Sequence, residues 1–248
     1  MLQRVAYVSV FLLIFIDAAG VSMFAPLLSA AEFHKPITLL EDYSLHTRNI
    51  YYGIALGTYS IFMLIAAPIL GSLSDKYGRR PIMILCLVGL IFSYLLAGLA
   101  IYANSATLML VSRAIGGITA ASQAVAQASA IDMSDENKKS FIISMCLLVS
   151  SLGFVFGPLI GGALSNSAWV SWFQIDIPFY AVSLFSAILL GLIYISFHDK
   201  APPQQKDKSV TPKDIVLDFK SAFTNSKLRK LIIVFMLMQM GWGAYFLF

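Results

Sequence analysis

Apolar residues in this chain fall in long runs, and the polar and charged residues collect between them. Seven runs can be drawn, at roughly 5–28, 50–73, 81–103, 106–131, 140–165, 171–197 and 231–248. Each is about as long as the ~20 residues a helix needs to cross the hydrocarbon core of a bilayer. The pattern predicts an all-α polytopic membrane protein in three parts: six membrane helices over 1–197, a connection over 198–230 and a seventh membrane helix over 231–248. Arg4 precedes the first run, and Leu28-Ser-Ala30 faintly resembles a secretory cleavage site. That run is too long for a signal core and carries Asp17 and Pro26, so it is read as a retained helix.

Composition excludes a soluble domain. With 58% hydrophobic residues, 12% charged and a mean hydropathy of +0.80, there is too much apolar surface to hide from water. A pI near 9.0 would suit a nucleic-acid partner, but the basic residues lie in the connections and follow membrane topology instead. With the N-terminus in the cytoplasm, 14 of the 17 basic residues fall on the inner side; Lys35 and Arg48 fall outside and Arg113 lies within a run. The positive-inside rule therefore places the N-terminus in the cytoplasm. Cys86 and Cys146 both lie inside runs and are read as small core residues. No phosphate-binding loop, zinc motif, nucleophile elbow or CxxC is present, so no cofactor, metal or enzymatic chemistry is predicted.

The connection over 198–230 opens with Pro202 and Pro203 in a polar context, which predicts a flexible linker. Thr211-Pro-Lys-Asp214 then reads as a helix start, and Ile215, Leu217, Phe219 and Phe223 form a short amphipathic stretch.

The densest charge in the first half is Gly71-Ser-Leu-Ser-Asp75-Lys-Tyr-Gly78-Arg79-Arg80-Pro81, read as a tight turn between the second and third runs. Gly71 is expected to let two helices approach closely, and Gly78 to take a left-handed backbone that ends the polar turn. Pro81 suits the first turn of the next helix. Asp75 and Arg79 can pair with each other or with neighbouring helix ends.

The helices also echo one another. Pro68-Ile-Leu-Gly71 in the second run matches Pro158-Leu-Ile-Gly161 in the fifth, and Asp17-Ala-Ala-Gly20 in the first matches Arg113-Ala-Ile-Gly116 in the fourth. The paired runs cross in opposite directions, as three-helix units repeated with inverted topology would.

Two ionisable residues stand inside runs. Asp17 lies about 20 Å from the inner end of its helix at the helical rise, near the bilayer middle. A carboxylate there must face a cavity or a partner, which suits either a reversible proton carrier or a structural hydrogen-bonding residue. Arg113 must satisfy five donors, so it faces water, substrate or carbonyls, unless it snorkels outward. Gly116, Ala120 and Gln127 fall near its helical face. Asp176, among Trp169, Trp172 and Phe173, is read as part of an interfacial belt. In the fifth run, Gly153, Gly157 and Gly161 at steps of four make a smooth face for close helix contact, and Pro158 favours a kink.

The order G-x-L-x-D-x-x-G-R-R over 71–80 closely resembles the loop between helices two and three of the major facilitator superfamily of secondary transporters. The resemblance covers nearly the whole chain. Phe15-Ile-Asp17-Ala-Ala-Gly20, continuing to Pro26-Leu-Leu28, resembles the first-helix motif of its drug–proton antiporters, the tetracycline exporters especially. Arg113-Ala-Ile-Gly116-Gly117 resembles a fourth-helix motif linked to proton coupling. Gly153, followed by Gly157-Pro158-Leu-Ile-Gly161-Gly162, resembles the fifth-helix motif of antiporters, although Ser144 and Met145 stand where the full motif begins with glycine.

The resemblance implies a fold of twelve helices in two halves, with this chain supplying the first six and helix seven. It implies Asp17, Arg113 and Gln127 for proton coupling and the substrate cavity. Gly71, Asp75, Gly78, Arg79, Arg80 and Asp132 would form a gating latch, with Asp132 meeting Arg79 and Asp75 facing the other half. A solvated helix-end carboxylate is the other reading of Asp132. The implied function is proton-coupled efflux of small hydrophobic or drug-like compounds by alternating access, in a bacterial inner membrane. A proton symporter for sugars, siderophores or organic acids, and a non-transporting membrane piece, are the alternatives. The apolar ending Trp242–Phe248 is read as a truncation, with the carboxy-terminal half missing and alternating access beyond this piece alone.

Overall fold

The computed structural model describes residues 2–33, 40, 43–197, 224–225, 229–234 and 236–238. The linker prolines, the amphipathic stretch over 215–223 and the ending Trp242–Phe248 lie outside the described residues. Contacts divide the chain into two compact units, Met1–Gln204 and Gln205–Phe248. In the second unit, residues 229–234 and 236–238 are helical and present Leu231, Val234 and Leu237 as exposed apolar side chains.

The first unit is all α. Its helices among the described residues are α1 (Leu2–Phe33), α2 (Leu45–Tyr77), α3 (Arg79–Tyr102), α4 (Ala106–Ile118), α5 (Ser122–Asp132), α6 (Lys139–Leu164) and α7 (Ile177–Ser196), with a 3₁₀ turn at Glu136–Lys138. Together α4 and α5 form the fourth of six candidate membrane spans. The all-α, six-span reading therefore holds, with one further helix in the second unit. Two boundaries are corrected. The fourth run is not one helix: a turn at Thr119–Ala121 interrupts it. The charged stretch from Gly71 to Pro81 is not a loop either, since α2 runs to Tyr77 and α3 starts at Arg79, leaving only Gly78 between them.

Local chemistry explains these ends. Gly78 sits at φ 101° and ψ 158°, a backbone that glycine alone adopts cheaply, and its N–H reaches Ser74 O at 3.1 Å to close α2. The Ser44 hydroxyl accepts the Thr47 N–H at the start of α2, and the Ser105 hydroxyl accepts the Leu108 N–H at the start of α4, both at 3.3 Å. Pro158 lies inside α6, which continues through it.

The helices pack as an inverted repeat. The first span lies on α6 as the fourth lies on α2; α3 packs on the fourth span as α7 packs on the first; and α3 and α7 pack on each other. Exchanging spans one to three for four to six maps this pattern onto itself. The matched glycines do not follow it. A Cβ at Gly20 would strike the Tyr94 side chain and one at Gly116 would strike Ser93, both on α3, whereas the exchange would carry one of these contacts to α7.

Candidate functional site

The centre of the first unit is polar inside an apolar shell. Val10, Leu13, Ile14, Phe24, Leu27 and Leu28 bury α1 among its neighbours, and Asp17 lies in their midst with 3% of its surface exposed. An isolated carboxylate in such a place costs several kcal/mol unless something answers it. Here the answer comes from the break in the fourth span. The Ser122 hydroxyl donates to Asp17 Oδ2 at 2.8 Å, and the backbone N–H of Gln123 faces the same carboxylate. Both groups belong to the first turn of α5, where unsatisfied N–H groups and the helix dipole favour an anion. The other oxygen, Oδ1, is buried with no hydrogen-bond partner.

Arg113 on α4 is equally buried, at 3% exposure, and its Nε has no partner. Its guanidinium carbon stands 3.5 Å from the Phe24 ring centroid and 4.8 Å from that of Tyr59. Phe24 meets Phe179 edge-on at 5.4 Å, and Phe179 lies beside Tyr94 at 6.4 Å. The cation thus rests on an aromatic bed drawn from α1, α2, α3 and α7. Cation–π contacts of this kind contribute about 2 kcal/mol when desolvated, far less than five satisfied donors would. Among the described residues no ion pair joins Asp17 to Arg113; all four ion pairs lie near the ends of helices. Tyr59 and Tyr94 lie within electrostatic reach of both.

Gln127 is half-buried on α5. The helical phase drawn from Arg113 to Gln127 does not run unbroken, because the turn at Thr119–Ala121 intervenes. The nearer amide side chain is that of Gln123, whose Nε2 donates to Ser150 Oγ on α6 at 2.6 Å. Ser122, Gln123, Tyr59, Tyr94 and Phe24 were not singled out from the sequence. The available signal was the polar group within otherwise apolar runs: Ser122 and Gln123 in the fourth, Tyr94 in the middle of the third.

At the other end of α2, Arg79 gathers three partners. Its Nη1 contacts Asp75 Oδ1 at 2.7 Å and donates to the buried Ser74 hydroxyl at 2.6 Å, and its Nε donates to Asp132 Oδ2 at 3.1 Å. The arginine therefore ties the end of α2 to the end of α5. Arg80 donates to the Tyr194 carbonyl and lies over the Tyr194 ring at 5.1 Å, tying the start of α3 to the last turn of α7. Asp75, with 64% of its side chain exposed, has Arg79 as its partner here. Gly71 corrects the sequence reading: a Cβ there would meet nothing within 4 Å, so no described helix approaches it closely.

The α6 glycines do make the expected close contact, on α1. A Cβ at Gly153 would come within 2.7 Å of the Phe15 carbonyl oxygen and the Ala18 Cβ. One at Gly157 would collide with Ser22 and the Ala19 backbone, and one at Gly161 would press on Met23 at 3.2 Å. Gly162 faces open space. Asp176 sits buried just before α7 and is placed with the belt residues Trp172 and Phe173 in the chain, its Oδ1 without a partner.

The family model of the Major Facilitator Superfamily matches residues 10–248. The chain belongs to that superfamily. Its family and fold are those of transporters, not of an enzyme. One superfamily relative, the class H tetracycline resistance protein of Pasteurella multocida, is 29% identical over 205 residues, covering 83% of this chain and 47% of that protein. Two solved superfamily structures share the fold. The human organic anion transporter MFSD10 (TETRAN) matches with a TM-score of 0.62 at 24% identity, covering 82% of this chain and 49% of that one. The xylose transporter XylE from E. coli, inward open, matches at 0.61 and 16%, covering 93% and 54%. The chain spans about half the length of the curated relatives it matches.

Proposed function

We propose that this chain supplies the six-helix amino-terminal half, with helix seven, of a proton-coupled exporter of small hydrophobic or drug-like compounds. Asp17 is the proton carrier in this reading. The observation that carries it is the environment of that one side chain. Asp17 is buried near the middle of the first span and has no cationic partner among the described residues. One oxygen is held by the Ser122 hydroxyl, and the other has no partner. A carboxyl group so placed has support for its charged form and a vacant oxygen for a proton. Arg113 lies over Phe24 and Tyr59 and makes no ion pair with Asp17 among the described residues.

Export is favoured by similarity to tetracycline resistance proteins across most of the chain, including the class H protein and the class C protein of Escherichia coli at 28% identity over 229 residues. The Gly157–Gly162 run in α6 also supports it through its antiporter resemblance. Asp75, Gly78, Arg79, Arg80 and Asp132 act in this reading as an inner latch whose opening and closing accompany alternating access. The bacterial origin of the tetracycline resistance relatives supports a bacterial inner membrane, and the distribution of basic residues supports an N-terminus inside.

The test uses the complete translation product that contains this chain. Cells producing it are loaded with tetracycline as the probe, and retention is followed with the proton gradient intact or collapsed. Energised cells are expected to retain several-fold less drug than de-energised ones, with the difference lost in Asp17→Asn. Equal retention in both conditions, for tetracycline and for a panel of lipophilic cations and anions, would count against export.

A further inference from the structure

The break in the fourth span carries a mechanical consequence. In the membrane interior, backbone polar groups released by an interrupted helix must find partners within the protein. At Thr119–Ala121 the local bonds are poor: the Ala120 N–H reaches Gly117 O at 3.3 Å, and the Ser122 N–H reaches Thr119 O at 3.4 Å. The Thr119 hydroxyl adds to the competition by donating to Ile115 O at 3.0 Å. A non-local partner at this break is Asp17, which accepts from the Ser122 hydroxyl at the start of α5 at 2.8 Å. From the other side, the Gln123 side chain is anchored to Ser150.

We propose that the Asp17 carboxylate holds this break in place, with Ser122 as the positioning residue, and that protonation of Asp17 frees residues 118–124 to rearrange. The first gate driven by the proton would then be the backbone of the fourth span and not an ion pair. This rests on the reading of Asp17 as the proton carrier. The chemistry is a single proton transfer. Hydronium gives a proton to Asp17 Oδ1: one O–H bond of hydronium breaks, leaving water, one O–H bond forms on Oδ1, and the carboxylate becomes a neutral carboxyl. The charge-assisted hydrogen bond from Ser122 becomes a neutral one, roughly half as strong, and the N-terminus of α5 loses its anion.

The surroundings of Asp17 leave the helix end as its main counter-charge. The titratable groups near it are Tyr59 on α2 and Cys86 and Tyr94 on α3; Arg113 on α4 is bound over Phe24 and Tyr59 and makes no ion pair with it among the described residues. At this level α6 meets α1 through Gly153 and Gly157. The tyrosines of α7 are engaged elsewhere, Tyr180 on Gly98 and Tyr194 on Arg80. On α5 itself, Asp132 lies at the far end with Arg79.

The experiment is hydrogen exchange with mass analysis on the full chain in lipid nanodiscs, from pH 5 to 9, corrected for the chemical exchange rate. Infrared spectra of the same samples, wild type minus Asp17→Asn, record the protonation of Asp17. Exchange in a peptide covering 118–124 is expected to rise tenfold or more as Asp17 protonates. In Asp17→Asn it should be fast at every pH. Ser122→Ala should exchange fast where wild type is slow, and Ser122→Thr should restore protection. A peptide over 82–90 in α3 should stay protected throughout, which separates local release from misfolding. If Asp17 protonates while exchange at 118–124 stays constant, the inference fails and the proton-carrier reading survives. If Asp17 shows no protonation change at all, both fail.

Discussion

Asp17 and Arg113 are buried to the same 3% exposure, share Tyr59 and Tyr94 as electrostatic neighbours, and make no ion pair with each other. A buried pair would have compensated both charges at once. Instead each is answered separately, the acid by a helix end and the base by aromatic rings. Asp17 can therefore change its charge, and Arg113 its contacts, without breaking an ion pair between them.

Removing the charge at Asp17 should cost coupling and not the fold. Asp17→Asn keeps a side-chain oxygen for Ser122 and removes a buried charge, so the unfolding midpoint in detergent should stay level or rise slightly. A drop of more than about 5 °C would mean that the carboxylate is there for structure.

Arg113 should not be replaceable by lysine. A planar guanidinium stacks on Phe24 at 3.5 Å; an ammonium at the same depth cannot reproduce that plane. Arg113→Lys should reduce drug efflux at least tenfold, and Phe24→Leu should reduce it in the same direction. Efflux rates in energised cells check both.

The glycines of α6 separate packing from motif. Gly157→Ala would drive a methyl group into Ser22 and the Ala19 backbone, and overpacking of this sort costs about 1–3 kcal/mol. Gly162→Ala meets only open space within the described residues and should leave stability unchanged. Thermal unfolding of the two variants side by side gives the contrast directly.

Around Gly78, backbone strain should outweigh the ion pairs. Gly78→Ala forces a Cβ onto φ 101°, at a cost of about 1–3 kcal/mol. The Arg79 pairs with Asp75 and Asp132 have carboxylates 64% and 56% exposed, where each pair contributes about 0–1 kcal/mol and weakens with salt. A double-mutant cycle on Arg79 and Asp132, run at low and high salt, measures that coupling.

The six spans were legible because run length and polarity are what a bilayer selects for, and Asp17 and Arg113 stood out because charge inside a run is costly. The break at Thr119–Ala121 was not legible from run length: Thr119, Ala120 and Ala121 are ordinary inside an apolar run, and the turn depends on side chains that bond their own helix and on Asp17 from another helix. Gly71 was misread for a related reason. Its sequence spacing matches Gly161, but Gly161 has α1 against it and Gly71 has no described neighbour. The charged stretch reads as a loop when charge is equated with turn, yet every residue in it except Gly78 stands in a helix.

Proton flow during transport bears most directly on the central claim. In proteoliposomes holding the complete translation product, an imposed tetracycline gradient is applied with no initial pH difference, and internal pH is followed with a trapped dye. Protons should move opposite to tetracycline in wild type, and Asp17→Asn should move none. Proton movement in the same direction as the drug, or countermovement undiminished in Asp17→Asn, would contradict the account.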